Sequence, residues 1–288
     1  MSVWPAGCYD TPRMRELSDR VAVVTGAGSG IGRAIALELA RAGMHVVVAD
    51  FDPARVERVV GEVQALGRRA LGVRTDVRQL GALEQLLRET LAEFGSCHVM
   101  VNNAGVFHAN TLLGAPVEQW QRVIETNLWG VIHGSRVFGQ HFVGQRSGHV
   151  VNTASAAGLF PAVGMSSYST TKFAIVGFSQ QLRWELAADG VGVTLLCPGV
   201  VKTGIANAEG VGLAPEDVTT MTARSPGPDA LARKVRRAIQ RDKALVRYGA
   251  DSYFFSFLRL LPQWLIDPLG KFMARTAAKF FRGELKPK

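Results

Sequence analysis

The stretch Val21-Ala22-Val23-Val24-Thr25-Gly26-Ala27-Gly28-Ser29-Gly30-Ile31-Gly32 decides the reading of this chain. Its first five residues form a short apolar run rich in valine, the pattern of a buried parallel strand. Four glycines follow within seven residues. Ile31, Ala34, Ile35, Leu37, Leu39 and Ala42 then recur at helical spacing, closed by Gly43. Strand, glycine turn and helix open a βαβ unit. Glycines let the backbone come close to a pyrophosphate, and a helix N-terminus offers it unpaired N–H groups.

Working outward, apolar strand-like runs alternate with helical patterns. The runs are Val21–Thr25, Val46–Asp50, Leu71–Thr75, Val99–Asn102, His149–Thr153, Val191–Cys197 and Ala244–Arg247. Alternation predicts an α/β fold: a Rossmann-type, doubly wound parallel sheet of about seven strands with helices on both faces. The chain has 288 residues and is 47% hydrophobic, enough for a sizeable core. The expected organisation is an N-terminal arm at 1–17, a catalytic domain at 18–250 and an amphipathic C-terminal extension at 251–288.

Tyr168 and Lys172 stand four apart in a helical stretch predicted over Ser166–Leu186. Residues at this spacing lie one above the other. A free tyrosine, with a pKa of about 10, is a poor base at neutral pH. A cation within ~4–6 Å favours the phenolate. Such a pair can exchange a proton with an alcohol or a carbonyl oxygen.

The glycine loop does not follow the G-x-G-x-x-G spacing; it reads Thr25-Gly26-x-x-x-Gly30-x-Gly32. With Asn102-Asn103-Ala104-Gly105, Asn127, Ser155, Tyr168-x-x-x-Lys172 and Pro198-Gly199 in that order, the chain resembles the short-chain dehydrogenase/reductase family over roughly residues 18–250. The resemblance implies Tyr168 as catalytic acid/base, Lys172 as its cation and ribose contact, and Ser155 as the orienter of the substrate oxygen. It implies Asn127 as the holder of a relay water. Gly26, Ser29, Gly30, Ile31 and Gly32 would cradle the cofactor, with Asn103, Ala104 and Gly105 lining it. Asp76 and Val77 would meet the adenine, and Pro198, Gly199, Val201 and Thr203 the nicotinamide. Relatives pair through their two long helices, here about Val117–Val143 and Ser166–Leu186, so a homodimer or homotetramer is expected.

Asp50 ends the second strand, 24 positions after Gly26. An acid there accepts hydrogen bonds from both ribose hydroxyls and repels a 2′-phosphate. Ala27 and Phe51 stand where a phosphate-binding cation would be wanted. The expected cofactor is NAD. The scattered histidines and the three cysteines, Cys8, Cys97 and Cys197, show no metal-ligand spacing, so no metal is expected.

Charge is unevenly placed. The chain carries a formal net charge of +9, yet residues 1–223 sum to −1 and residues 224–288 to +10. The basic segment is also aromatic, with Leu269, Phe272, Met273, Thr276, Ala277 and Phe280 expected on one helix side. Lys271, Arg275, Lys279 and Arg282 are expected on the other, with Pro262 and Pro268 breaking the segment. This composition suits an anionic membrane surface; packing on the domain or on a partner subunit is the competing reading. No nucleic-acid motif is present. The N-terminus shows no basic region followed by an apolar run, so a cytoplasmic protein is expected, peripheral on the cytoplasmic face of a membrane. Val200 to about Pro228 would cover the substrate, joined by Phe107, His108, Leu159, Phe160 and Met165. That lining is mostly apolar, which points to a lipid-, steroid- or isoprenoid-like alcohol or ketone. The alternative function is an idle NAD-binding scaffold or sensor.

Overall fold

The computed structural model describes residues 14–109, 111–203, 222–223 and 225–281. Cys8 and the arm before Met14 lie outside the described residues. So does most of the expected substrate cover, including Ile205, Ala206, Val211, Gly212, Leu213 and Met221. Beyond Arg275, and at Met273, no side chain is described.

Seven strands form one parallel sheet: β1 (Val21–Thr25), β2 (His45–Asp50), β3 (Ala70–Arg74), β4 (Val99–Asn102), β5 (Gly148–Thr153), β6 (Val191–Pro198) and β7 (Leu245–Tyr248). Their order is β3-β2-β1-β4-β5-β6-β7. Strand order reverses between β1 and β4, and ligands of such sheets bind beyond the strand carboxyl ends at that crevice. The glycine stretch that opens the sequence lies there.

The layering follows from the two-residue period of strands. Ala22, Val24, Val46 and Val48 face a core with α1 (Gly30–Arg41), α2 (Pro53–Gln64) and α7 (Pro228–Arg241). Val21, Val23, Val47 and Ala49 face the opposite core, with α3 (Leu80–Phe94) and α5 (Gly130–Gly144). α4 (Val117–Ile124) precedes α5, and α6 (Ser166–Ala187) lies against β6. Asp52 caps α2, accepting from the amides of Ala54 at 3.0 Å and Arg55 at 3.3 Å.

The helix predicted over Val117–Val143 is present as α4 and α5, continuous through a π turn at Glu125–Trp129. The wider turn places Asn127 fully inside, and such turns concentrate at functional sites. The segment after β7 forms α8 (Ala250–Leu258) and α9 (Gln263–Phe281), and Pro268 lies within α9 without ending it. Its missing N–H leaves one carbonyl unpaired on an exposed face that water can reach.

No helix among the described residues is long and apolar enough to cross a membrane. Phe138 is fully buried and its ring lies 6.4 Å from that of Phe142. Phe138→Ala should cost about 3–5 kcal/mol. Urea unfolding followed by circular dichroism checks it; a loss under about 1 kcal/mol would mean that this core collapses around the gap.

Candidate active site

The crevice is built from the ends of β1, β2, β4, β5 and β6. At the glycine turn, a Cβ on Gly32 would fall on the carbonyl of Gly26. The chain folds back on itself so tightly that only hydrogen fits, and the first turn of α1 faces outward. Ser29 makes no side-chain capping bond to that turn. Its N–H groups therefore remain available to an anion.

Asp50 sits at the mouth of this turn. Its carboxylate accepts from the Gly28 amide at 2.9 Å and the Asp52 amide at 3.1 Å. The cations nearby are engaged elsewhere. Arg55 pairs with Asp52 at 3.0 Å, and Arg58 donates to the Gly28 carbonyl at 2.7 Å. Arg74 lies over the Phe51 ring at 5.0 Å. An acid at the strand end with its neighbouring cations committed fits a ribose diol, and so NAD. Asp76 is different. Arg78 holds its carboxylate at 2.6 Å and keeps it well below the usual carboxylate range. Val77 is buried, and its carbonyl meets His133 Nδ1 at 3.1 Å.

The β4 end is fastened to the turn. Thr25 Oγ1 accepts the amides of Asn103 at 3.0 Å and Ala104 at 3.2 Å. The Asn103 side chain donates to the Thr25 carbonyl at 3.1 Å. Asn127 clamps the next residues: its amide accepts from Val106 N at 2.8 Å and donates to Val106 O at 2.9 Å. These bonds fix the Asn127 side chain against Val106, and its amide nitrogen lies 3.5 Å from Thr171 Oγ1.

The proton-transfer group occupies the start of α6. Lys172 is 4% exposed and donates to the Thr153 carbonyl at 3.0 Å. Its Nζ lies 5.4 Å from the Tyr168 ring centre. Phe107 stands edge-on to Tyr168, with ring centres 5.1 Å apart. Burial pushes the Tyr168 phenol up, and a hydrogen bond from Ser155 pulls the other way. Burial lowers Lys172 from 10.5 to about 8. In the protein alone burial outweighs the downward pull on Tyr168 expected of Lys172. Both groups are biased toward their neutral forms.

At the end of β6, Gly199 lies against the Asp251 carboxylate so closely that a Cβ would collide with it. Asp251 accepts from the Val200 amide at 2.8 Å, and Ser252 donates to the Cys197 carbonyl at 2.7 Å. Thr203 arches back against Gly30. Val201 is buried. Asp251 and Ser252 were not singled out from the sequence. Their only signal was an Asp and a Ser at the start of a helix, just after a glycine, where capping is the ordinary reading.

The family model described as short chain dehydrogenase matches residues 20–211. The "Probable oxidoreductase EphD" of Mycobacterium tuberculosis is 39% identical over 260 residues, covering 86% of this chain. This chain spans 44% of that protein's length. The "Putative oxidoreductase SadH" of the same organism is 31% identical over 276 residues, 93% of this chain and 99% of that protein. A crystal structure of a short-chain dehydrogenase/reductase from Burkholderia phymatum in complex with NAD superposes with a TM-score of 0.77. It is 35% identical, covering 81% of this chain and 90% of that one. The chain belongs to the short-chain dehydrogenase family, and its nucleotide site is of the NAD type.

The depressed Lys172 pKa is also a stability statement. The folded state holds fewer protons than the unfolded one between about pH 8 and 10.5, so burial of the ammonium costs roughly 3 kcal/mol below pH 8. Lys172→Met should raise stability at pH 7 by about 1–3 kcal/mol, after loss of the bond to Thr153. That gain should shrink as pH rises from 8 toward 10.5. Paired urea titrations across this range check it; a pH-independent difference would contradict the burial argument.

Proposed function

We propose that this protein transfers a hydride between NAD(H) and a secondary alcohol or ketone on a hydrophobic, lipid-, steroid- or isoprenoid-like molecule. The carrying observation is Tyr168 beside the buried Lys172, whose Nζ lies 5.4 Å from the phenol ring centre, with Ser155 acting on the phenol. NAD supplies the acceptor for the substrate's hydride. The substrate C–H breaks with its electron pair, and the O–H proton passes to Tyr168. Ser155 holds the substrate oxygen beside that phenol. Tyr168 takes that proton as its phenolate, and Lys172 steadies the negative charge the phenolate carries beforehand, which is electrostatic stabilisation in a water-poor site. Asn127 and Thr25 keep the surrounding loops in register. Phe107 supplies an apolar wall, in keeping with a lipophilic substrate.

Tyr168→Phe should lower kcat by at least a hundredfold, the lower range of general acid–base contributions, with NADH affinity kept. Turnover of hydrophobic secondary alcohols with NAD is read by absorbance of the reduced nicotinamide. Unchanged turnover would remove Tyr168 from the reaction, and loss of NADH binding would assign it a structural role.

The C-terminal helices support a second part of the proposal, attachment to an anionic bilayer. Leu260 is 81% exposed, Trp264 72% and Phe272 67%. Arg259, Lys271 and Arg275 are exposed with them. The apolar face therefore differs from the sequence expectation: Leu269 turns partly inward while Phe272 faces out beside the cations. The helix presents aromatic and basic groups together, the combination that suits a lipid interface. Pairing of two copies through α4–α5 and α6 is proposed as well, with Trp184 on α6 exposed at 72%.

The full chain should co-sediment with vesicles of phosphatidylglycerol and phosphatidylcholine, and Leu260→Ser with Trp264→Ser should release it. Each basic side chain at the surface contributes roughly 1 kcal/mol, so high salt should weaken binding. Equal partition of the full chain and the double variant would defeat the membrane reading.

A further inference from the structure

Between α9 and the segment that follows Ser155 runs a groove of about 590 Å³. That volume lies within the roughly 300–1,000 Å³ of small-molecule sites. Leu159, Phe160 and Phe173 form its floor, and Leu261, Ile266 and Gly270 form its far wall. Its charged groups are unequal in number. Arg259 and Lys271 reach it as cations, while the single acid, Asp267, accepts from Gln263 at 2.6 Å.

The groove shares a wall with the catalytic centre. Leu159 belongs to the same buried cluster as Ala154 and Cys197, which lie on either side of the Ser155–Lys172 group. Phe160 stacks on Phe255 of α8 at 5.4 Å between ring centres. The Arg259 guanidinium is near enough to act on the Cys197 thiol, as is Lys172. On its outer side the groove runs along the helix that exposes Trp264 and Leu265. An apolar channel with two cations, beside a proton-transfer group and below an aromatic surface, has the chemistry of a site for an amphiphile.

The geometry points to this groove as the seat of a long acyl chain ending in a carboxylate, with the chain along Leu159, Phe160 and Ile266 and the carboxylate at Arg259 or Lys271. That the chain is part of the substrate rests on the oxidoreductase reading; that the groove binds it does not. Charge complementarity selects this occupant. The lining carries two cations against the one carboxylate of Asp267, an excess that an anionic headgroup balances.

Gly270 gives a clean test. A Cβ there meets nothing within 4 Å, so a larger side chain enters the groove without forcing the helix apart, and replacing a helical glycine favours the helix. Anthroyloxy-stearate fluorescence is titrated with the full chain. Wild type should bind the probe, and Gly270→Trp should weaken it at least tenfold with an unchanged melting temperature. Arg259→Gln with Lys271→Gln should remove the preference for stearate over stearyl alcohol as competitor. In turnover, Gly270→Trp should raise KM for long-chain secondary alcohols and leave short-chain ones unchanged. Equal probe affinity in wild type and Gly270→Trp overturns the proposal, as does a Gly270→Trp effect confined to self-association. Probe binding that is lost in Gly270→Trp supports the groove even where wild type oxidises no alcohol, an outcome that would defeat the oxidoreductase reading alone.

Discussion

A lysine ammonium is costly inside a protein, because the charged form gives up its water for a medium that solvates it poorly. Lys172 accepts that situation with a backbone carbonyl as its hydrogen-bond partner, Thr153 at 3.0 Å. Its pKa falls to about 8 as a result. The same burial raises the Tyr168 phenol. Two groups of opposite protonation chemistry are thus held close to each other, each pushed toward neutrality by the absence of water.

The rest of the crevice keeps those two groups in place. Ser155 ends the loop after β5 and bonds the phenol, Asn127 ties Val106 by both its amide atoms, and Asp251 holds the loop after β6. These residues come from distant parts of the chain. The parallel sheet brings them together because all its strands end on one side. Precision here comes from side chain to backbone bonds on loops, each anchored at a strand terminus. α8 also links this region to the C-terminal surface: Ser252 and Asp251 fasten its start, and Phe255 stacks on Phe160.

Much of this was legible in the sequence, for identifiable reasons. Valine runs fix strands when both sheet faces are buried, and the β1–Gly32 stretch has a pattern that few other structures tolerate. Tyr168 and Lys172 needed only helical spacing to be paired. What the sequence did not reveal depended on tertiary context. The π turn at Asn127 leaves no mark in hydrophobic periodicity. Pro268 read as a breaker because its cost is local, yet the helix continues through it. Helical spacing put Phe272 on one side with Leu269, yet Leu269 is partly buried with Ile266 and Ala274 while Phe272 is exposed. The direction of the Tyr168 shift was missed because burial, which sequence does not give, dominates it.

The most direct test of this balance is the ionisation of Tyr168 itself. The chain has four tyrosines, so ultraviolet pH titrations of wild type minus Tyr168→Phe isolate one of them. In the free protein the Tyr168 midpoint should lie above the ~10 of an unperturbed tyrosine. Added NAD⁺ should bring it down, and Lys172→Met should abolish most of that fall. A midpoint at or below ~10 in the free protein, or one that NAD⁺ leaves unmoved, would contradict the account.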